Sequence, residues 1–130
     1  MKLLYLSFIF SLAMLQPRTG DPIEHTVTLL KQDNLPELYK TLAPNIDLGI
    51  LEDENTYPAK QAETILQNFF AKNPPNAVSV VHKINSNPDM QYAIVIISTK
   101  NGPYRTSFTL KNNKGVYQLI ELSIREEKPN

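Results

Sequence analysis

The chain has 130 residues, no cysteine, and 13 basic against 13 acidic side chains, so it carries no formal net charge. Without cysteine it can be neither a disulfide scaffold nor a lipoprotein anchored through a thiol, and its core alone must hold it together. Lysines and arginines are scattered rather than clustered, which offers no basic patch of the kind phosphate binding needs and argues against a nucleic-acid partner.

Lys2, the apolar run Leu3 to Leu15 and the exit Gln16-Pro17-Arg18-Thr19-Gly20 have the order of a secretory signal peptide, expected over residues 1–20. The run is too short for a membrane span, which needs about 20 apolar residues. Its removal takes away Lys2 and Arg18 and leaves 11 basic against 13 acidic residues, a net charge of −2. The product is expected to be exported, periplasmic or secreted, with no membrane span after cleavage. Residues 21–126 then form a single domain, followed by a flexible tail at 127–130.

Asp21-Pro22-Ile23-Glu24 is a helix start, with Asp21 as cap and Pro22 at the first helical position. Ile23, Val27 and Leu30 follow at helical spacing and form an inward stripe. Asn34-Leu35-Pro36 restarts the pattern, with Leu35, Leu38, Tyr39 and Leu42 on one side, and Pro44 ends it because a residue before proline is pushed toward extended geometry. Ile46, Leu48 and Ile50 alternate with Asp47 and Gly49, predicting a half-buried strand at 46–51. Glu52-Asp53-Glu54-Asn55 reads as a solvated turn, since the spaced ligands and central glycine of a calcium loop are missing. The strongest helix signal follows, with Ala62, Ile65, Leu66, Phe69 and Phe70 on one face and Asn73-Pro74-Pro75 as the stop.

Residues 77–84 alternate again, Val78, Val80, His82 and Ile84 against Ser79, Val81 and Lys83. A turn at Ser86 to Asp89 would pair Asn85 with Met90 and set His82 opposite Ala93, facing the helices. Asn101-Gly102 signals a type I′ turn that pairs Lys100 with Pro103, which places Ile97 opposite Thr106, Val95 opposite Phe108 and Ala93 opposite Leu110. A three-residue loop at Asn113-Lys114-Gly115 then sets Leu110 opposite Gln118, Phe108 opposite Ile120 and Thr106 opposite Leu122. The expected architecture is α+β: three helices on one face of a curved antiparallel sheet.

That order resembles the nuclear-transport-factor-2-like, or cystatin-like, cone. More closely, "KNPP" at Lys72–Pro75, "VHK" at Val81–Lys83, "QYAI" at Gln91–Ile94, "NGPYR" at Asn101–Arg105 and "LIELSI" at Leu119–Ile124 resemble the domain-of-unknown-function family 4783. The resemblance covers about residues 21–126, and implies small secreted bacterial proteins with no assigned reaction and no catalytic residue to carry over. Enzymes on this cone generally keep a carboxylate or a His–Asp pair in the pocket.

Function is weakly written in these residues. His82 is the one ionisable group expected on an inner strand face, and it lacks the orienting partner that a general base requires. Two distant histidines without cysteine or a zinc motif do not make a metal site, and no cofactor is expected. Tyr39, Phe69, His82, Tyr104 and Phe108 are expected to converge on the interior, either as filled core or as the lining of a pocket for a small apolar ligand. The outer sheet face is expected to carry Val81, Ile94, Ile96 and Leu119, with Ser107 and Thr109 among them and Tyr92, Tyr117, Lys83, Arg105 and Glu121 around, Arg105 and Glu121 close enough to pair. A solvated sheet face alternates to polar residues, whereas this one keeps an apolar centre and so predicts a homodimer or an envelope protein partner. The residues thus favour a non-enzymatic binding domain. The competing reading is a cone-fold enzyme, an isomerase, lyase or hydrolase, using His82 as acid or base.

Overall fold

The computed structural model describes residues 20–128, so the expected signal peptide lies outside the described residues except for Gly20. The first helix, α1 (Pro22–Lys31), begins where Asp21 accepts a hydrogen bond from the Ile23 N–H at 2.9 Å. Ile23, Val27 and Leu30 are buried as their spacing requires. A short α2 (Leu35–Tyr39) follows and leads into β1 (Leu42–Ile50). Pro44 falls in the stretch of β1 where the pairing register shifts, a place where a residue without an N–H is tolerated.

The polar segment expected as a loop is instead an edge strand, β2 (Asp53–Pro58), paired antiparallel with β1. Only Tyr57 of this strand packs against the core, so no apolar alternation announces it. Backbone pairing holds it, and its exposed charges guard the sheet edge against association. The long α3 (Ala59–Lys72) then buries Ala62, Leu66, Phe69 and Phe70, and β3 (Ala77–Ile84), β4 (Met90–Thr99), β5 (Gly102–Asn113) and β6 (Val116–Glu126) complete a six-stranded sheet. The strand order is β2-β1-β6-β5-β4-β3. The β1–β6 pair is parallel and the rest are antiparallel. Buried residues of the helices and of the inner strand positions join in one apolar cluster, with Val95, Ile97, Phe108 and Ile124 fully enclosed.

Both hairpin turns differ from expectation, and each change has a local cause. At the β4–β5 turn Lys100 and Asn101 occupy the bend and Gly102 alone has positive φ, at +116°. Asn101 is drawn elsewhere: its side-chain amide donates to the Lys72 carbonyl and to Asn73 Oδ1 at the end of α3. The ladder therefore moves by two residues, to Ile97 opposite Tyr104, Val95 opposite Thr106 and Ala93 opposite Phe108. A shift of two preserves which face each side chain takes.

The β5–β6 turn is the one that needs two left-handed residues, Lys114 at φ 54° and Gly115 at φ 91°, with Asn113 opposite Val116. Leu110 then lies opposite Leu119, and the register shifts before Phe108 meets Leu122 and Thr106 meets Ile124. Ile120 is the extra residue. In consequence Leu119, expected outside, is buried in the core, and Tyr117 packs against the core rather than joining the outer face. Beyond the bulge Leu122 points in and Glu121 out, as expected.

Gly115→Ala should cost about 1 kcal/mol by urea denaturation, because a Cβ there meets nothing within 4 Å and the whole penalty is the positive φ.

Candidate binding surface on the outer sheet face

Four of the five side chains expected around an interior pocket are packed into the core: Tyr39, Phe69, Tyr104 and Phe108 are each 9% exposed or less. Phe69 lies edge-on to Phe70 and to Tyr104, with ring centroids 5.3 and 5.1 Å apart. The Tyr104 hydroxyl donates to Asn73 Oδ1 at 3.2 Å, and the Asn73 amide donates to the Phe69 carbonyl at 3.0 Å. Burial, reinforced by the charges of Glu63 and Asp33, pushes the Tyr39 phenol up to about 12. These groups fill space and satisfy one another.

His82 does not join them. Register is as expected from Ala77 opposite Ser98 to Val80 opposite Val95, then shifts so that His82 pairs with Ile94 and Lys83 with Ala93. Val81 is the extra residue, and a one-residue slip exchanges the two faces. His82 is exposed on the outer side of the edge strand. Lys83 takes the inward place, where its ammonium donates to Asp21 and, at 3.2 Å, to Glu24 of α1. Partial burial works to raise the Asp21 carboxyl, but the Lys83 bond and charge with the Ile23 N–H outweigh it and hold the pKa below the usual carboxylate value. The Asp21 bond raises that of Lys83. The pair thus clamps the start of α1 to β3. Among the described residues no group of three or more His, Asp or Glu side chains is placed to hold a metal.

The outer face is built by alternation. Along β4, Ala93, Val95 and Ile97 are buried while Tyr92, Ile94 and Ile96 are half-buried on the far side. Opposite them in β5 stand Thr109, Ser107 and Arg105, and opposite those in β6 stand Glu121, Ser123 and Arg125. Gly49 and Asp47 of β1 extend the Ser123 and Glu121 rows. The expected Arg105–Glu121 pair is not formed, because the true register sets these residues at opposite ends of the face. Arg105 lies 3.6 Å from Glu127, Arg125 lies 3.9 Å from Glu54, and Glu121 accepts from the Thr109 hydroxyl. A depression of about 290 Å³ is lined by Tyr92, Ile94, Arg105, Ser107, Ser123 and Arg125. Arg125 and Ser123 were not among the expected face residues, since the expected register put Ser123 rather than Arg125 beside Arg105; the two-residue turn at Lys114-Gly115 and the bulge at Ile120 together make the difference.

Of the residues expected on this face, Tyr92, Ile94, Ile96, Arg105 and Glu121 lie on it, Val81 is exposed at the bulge, and Leu119 and Tyr117 are turned the other way. A second hollow, of about 360 Å³, opens between the start of α1 and the β5–β6 turn, lined by Pro22, His25, Thr26, Thr41, Leu110, Val116 and Tyr117 among others.

This six-stranded sheet with its helical cover is the α+β fold of nuclear-transport-factor-2-like proteins, as in one of unknown function from Cytophaga hutchinsonii, 14% identical with a TM-score of 0.58 over 86% of this chain and 92% of that one. The family model for a domain of unknown function, DUF4783, matches residues 23–125, and the chain belongs to that family. It is similar to the DUF4783 protein of Bacteroides uniformis, at 22% identity and a TM-score of 0.77 over 84% of this chain and 100% of that one. The Bacteroides ovatus member is also 22% identical, with a TM-score of 0.73 over 80% of this chain and 94% of that one. Curated proteins include no match.

Two variants check the site's geometry. His82→Ala should leave stability within about 0.5 kcal/mol, whereas Phe69→Ala should cost about 3–5 kcal/mol in the same denaturation experiment. Lys83→Met should melt a few degrees below the wild type at neutral pH. A depressed Asp21 pKa stabilises the fold above the ordinary carboxylate range and loses that effect as pH falls through it, and a raised Lys83 pKa does so up to the ordinary ammonium range and fails above it. Melting curves of the two proteins should therefore draw together only as pH falls below 3.8, the ordinary aspartate value, or rises above 10.5, the ordinary lysine value.

Proposed function

We propose that this chain is an exported, non-enzymatic binding domain that pairs with a second copy of itself through the outer face of β4 and its neighbours. In this reading all three helices cover the inner face, and the outer face is left for a partner. The observation that carries it is the half-buried row Tyr92, Ile94 and Ile96, beside which Ile84 stands 48% and Val81 50% exposed. Such a face is costly to solvate and is rimmed by the charges of Arg105, Arg125 and Glu121.

A second copy fits because the charges reverse along the strands. Arg105 and Arg125 lie at one end and Glu121 with Asp47 at the other, the Ser107–Ser123 pair standing between. A twofold axis lying in the interface along the line from Ile94 through Ser107 to Ser123 brings Arg125 of each copy over Glu121 of the other. The same axis sets Ile94 on Ile94 and Ile96 on Tyr92. One self-complementary patch is what an isologous dimer requires.

An apolar small-molecule ligand is the second reading, favoured by the hollow beside Leu110, Val116 and Tyr117. An acid–base role for His82 draws no support from its exposed position on an edge strand.

Light scattering on residues 21–130 should report a dimer that Ile96→Asp converts to a soluble, folded monomer. A wild type that is monomeric at every concentration, and as soluble as the variant, would reject the pairing. Intact-mass analysis of the protein from a secreting host should find an N-terminus between Ala13 and Asp21.

A further inference from the structure

Arg105 and Arg125 face each other directly across the β5–β6 ladder. Like charges in that position repel and destabilise a sheet. Their carboxylate neighbours do little to offset this: Glu127 and Glu54 stand 3.6 and 3.9 Å away, beyond hydrogen-bond length, and Arg125 and Glu54 are 67% and 72% exposed. Exposed ion pairs of that sort contribute little. Each guanidinium carries five N–H donors in a fixed fork.

One pleat further along, Ser107 faces Ser123, and both hydroxyls join the two arginines in lining the 290 Å³ depression. Beside Ser123 on the β1 side stands Gly49, which leaves that row without a further side chain. A Cβ at position 49 would stand 3.4 Å from Ser123 Oγ, in contact with the hydroxyl. The remaining wall, Tyr92 and Ile94, is apolar in its bulk.

From this arrangement we infer that Arg105, Arg125, Ser107 and Ser123 form a carboxylate-binding site for a small organic acid with an apolar body. The guanidinium forks and hydroxyls supply convergent donors to two oxygens, and the carbon skeleton rests against Ile94 and the Tyr92 ring. Guanidinium–carboxylate pairing of this kind is bidentate and charge-assisted. A carboxylate with an apolar body suits the site better than inorganic phosphate, which has no carbon skeleton to rest against Ile94 and Tyr92 and whose second negative charge would face Glu54 and Glu127. The site is a property of the single chain and does not require the dimer, although a second copy seated on this face would compete for it through its own Glu121.

The test is a titration of isotope-labelled residues 21–130 at low ionic strength with hexanoate, phenylacetate and inorganic phosphate, followed by the arginine Nε–H and backbone amide resonances. Both carboxylates should shift Arg105 and Arg125 together with the Ser107 and Ser123 amides. Arg105→Gln and Arg125→Gln should each weaken binding about tenfold or more, the loss of one charge-assisted bond. Neither substitution should lower the melting temperature of the unliganded monomer, because each relieves the cross-strand repulsion. Repeating the titration at a dilution where light scattering reports monomer separates this proposal from the dimer: binding seen only there still supports the site. Absence of shifts in the monomer, unchanged affinity in the arginine variants, or phosphate binding as tightly as the carboxylates would each overturn it.

Discussion

Side-chain alternation along β3 to β6, reset wherever one extra residue enters a strand, decides which residues this protein buries and which it presents. Val81 and Ile120 are those extra residues. The first sends His82 outward and Lys83 inward; the second brings Leu119 into the core and leaves Arg125 beside Arg105. Bulges of this kind also bend and twist strands, as wrapping a sheet around a helix demands. The same two insertions therefore shape the sheet and choose which chemistry its outer surface shows.

Two polar clusters secure the helices to this sheet. At the C-terminal end of α3, Asn73 receives the Tyr104 hydroxyl and the Asn101 amide, while Asn101 also caps the Lys72 carbonyl. The end of the long helix, the β4–β5 turn and a buried tyrosine are thereby joined through short bonds. At the opposite corner Lys83 reaches from β3 to Asp21 and Glu24 at the start of α1. Between the clusters the contacts are apolar, with Phe69, Tyr104 and Phe108 packed into the interior. The interior is filled, and the outer face is what the sheet leaves accessible.

On that face the apolar and the charged residues are separated. Ile94 and Ile96 belong to β4, the arginines and serines to β5 and β6, and the acidic groups to β6, β1 and β2. Apolar contact supplies most of an interface's driving force and charges mainly its register and selectivity, so the division suits the proposed pairing. The short polar β2 beside it has little to bury and much to solvate, consistent with a sheet that presents its face and protects its edge.

Much of the architecture was legible in the sequence because it depends on local periodicity. The cap at Asp21 and the stripe of α3 with its stop at Asn73 follow from spacing alone, and the inward set Val95, Phe108 and Leu122 follows from alternation, which the two-residue shifts of both ladders left intact. The family, whose model matches residues 23–125, was legible in the sequence too. What it could not settle was the pairing of strands with one another. Asn101-Gly102 looked like the two-residue turn, yet the pull of Asn101 toward the end of α3 left that geometry to Lys114-Gly115. A bulge carries no composition of its own, and β2 offers almost no apolar pattern to read. The positions of His82, Leu119 and the Arg105–Arg125 pair were therefore decided only when the sheet closed on its core, since burial selects among registers that the chain taken locally leaves nearly equal.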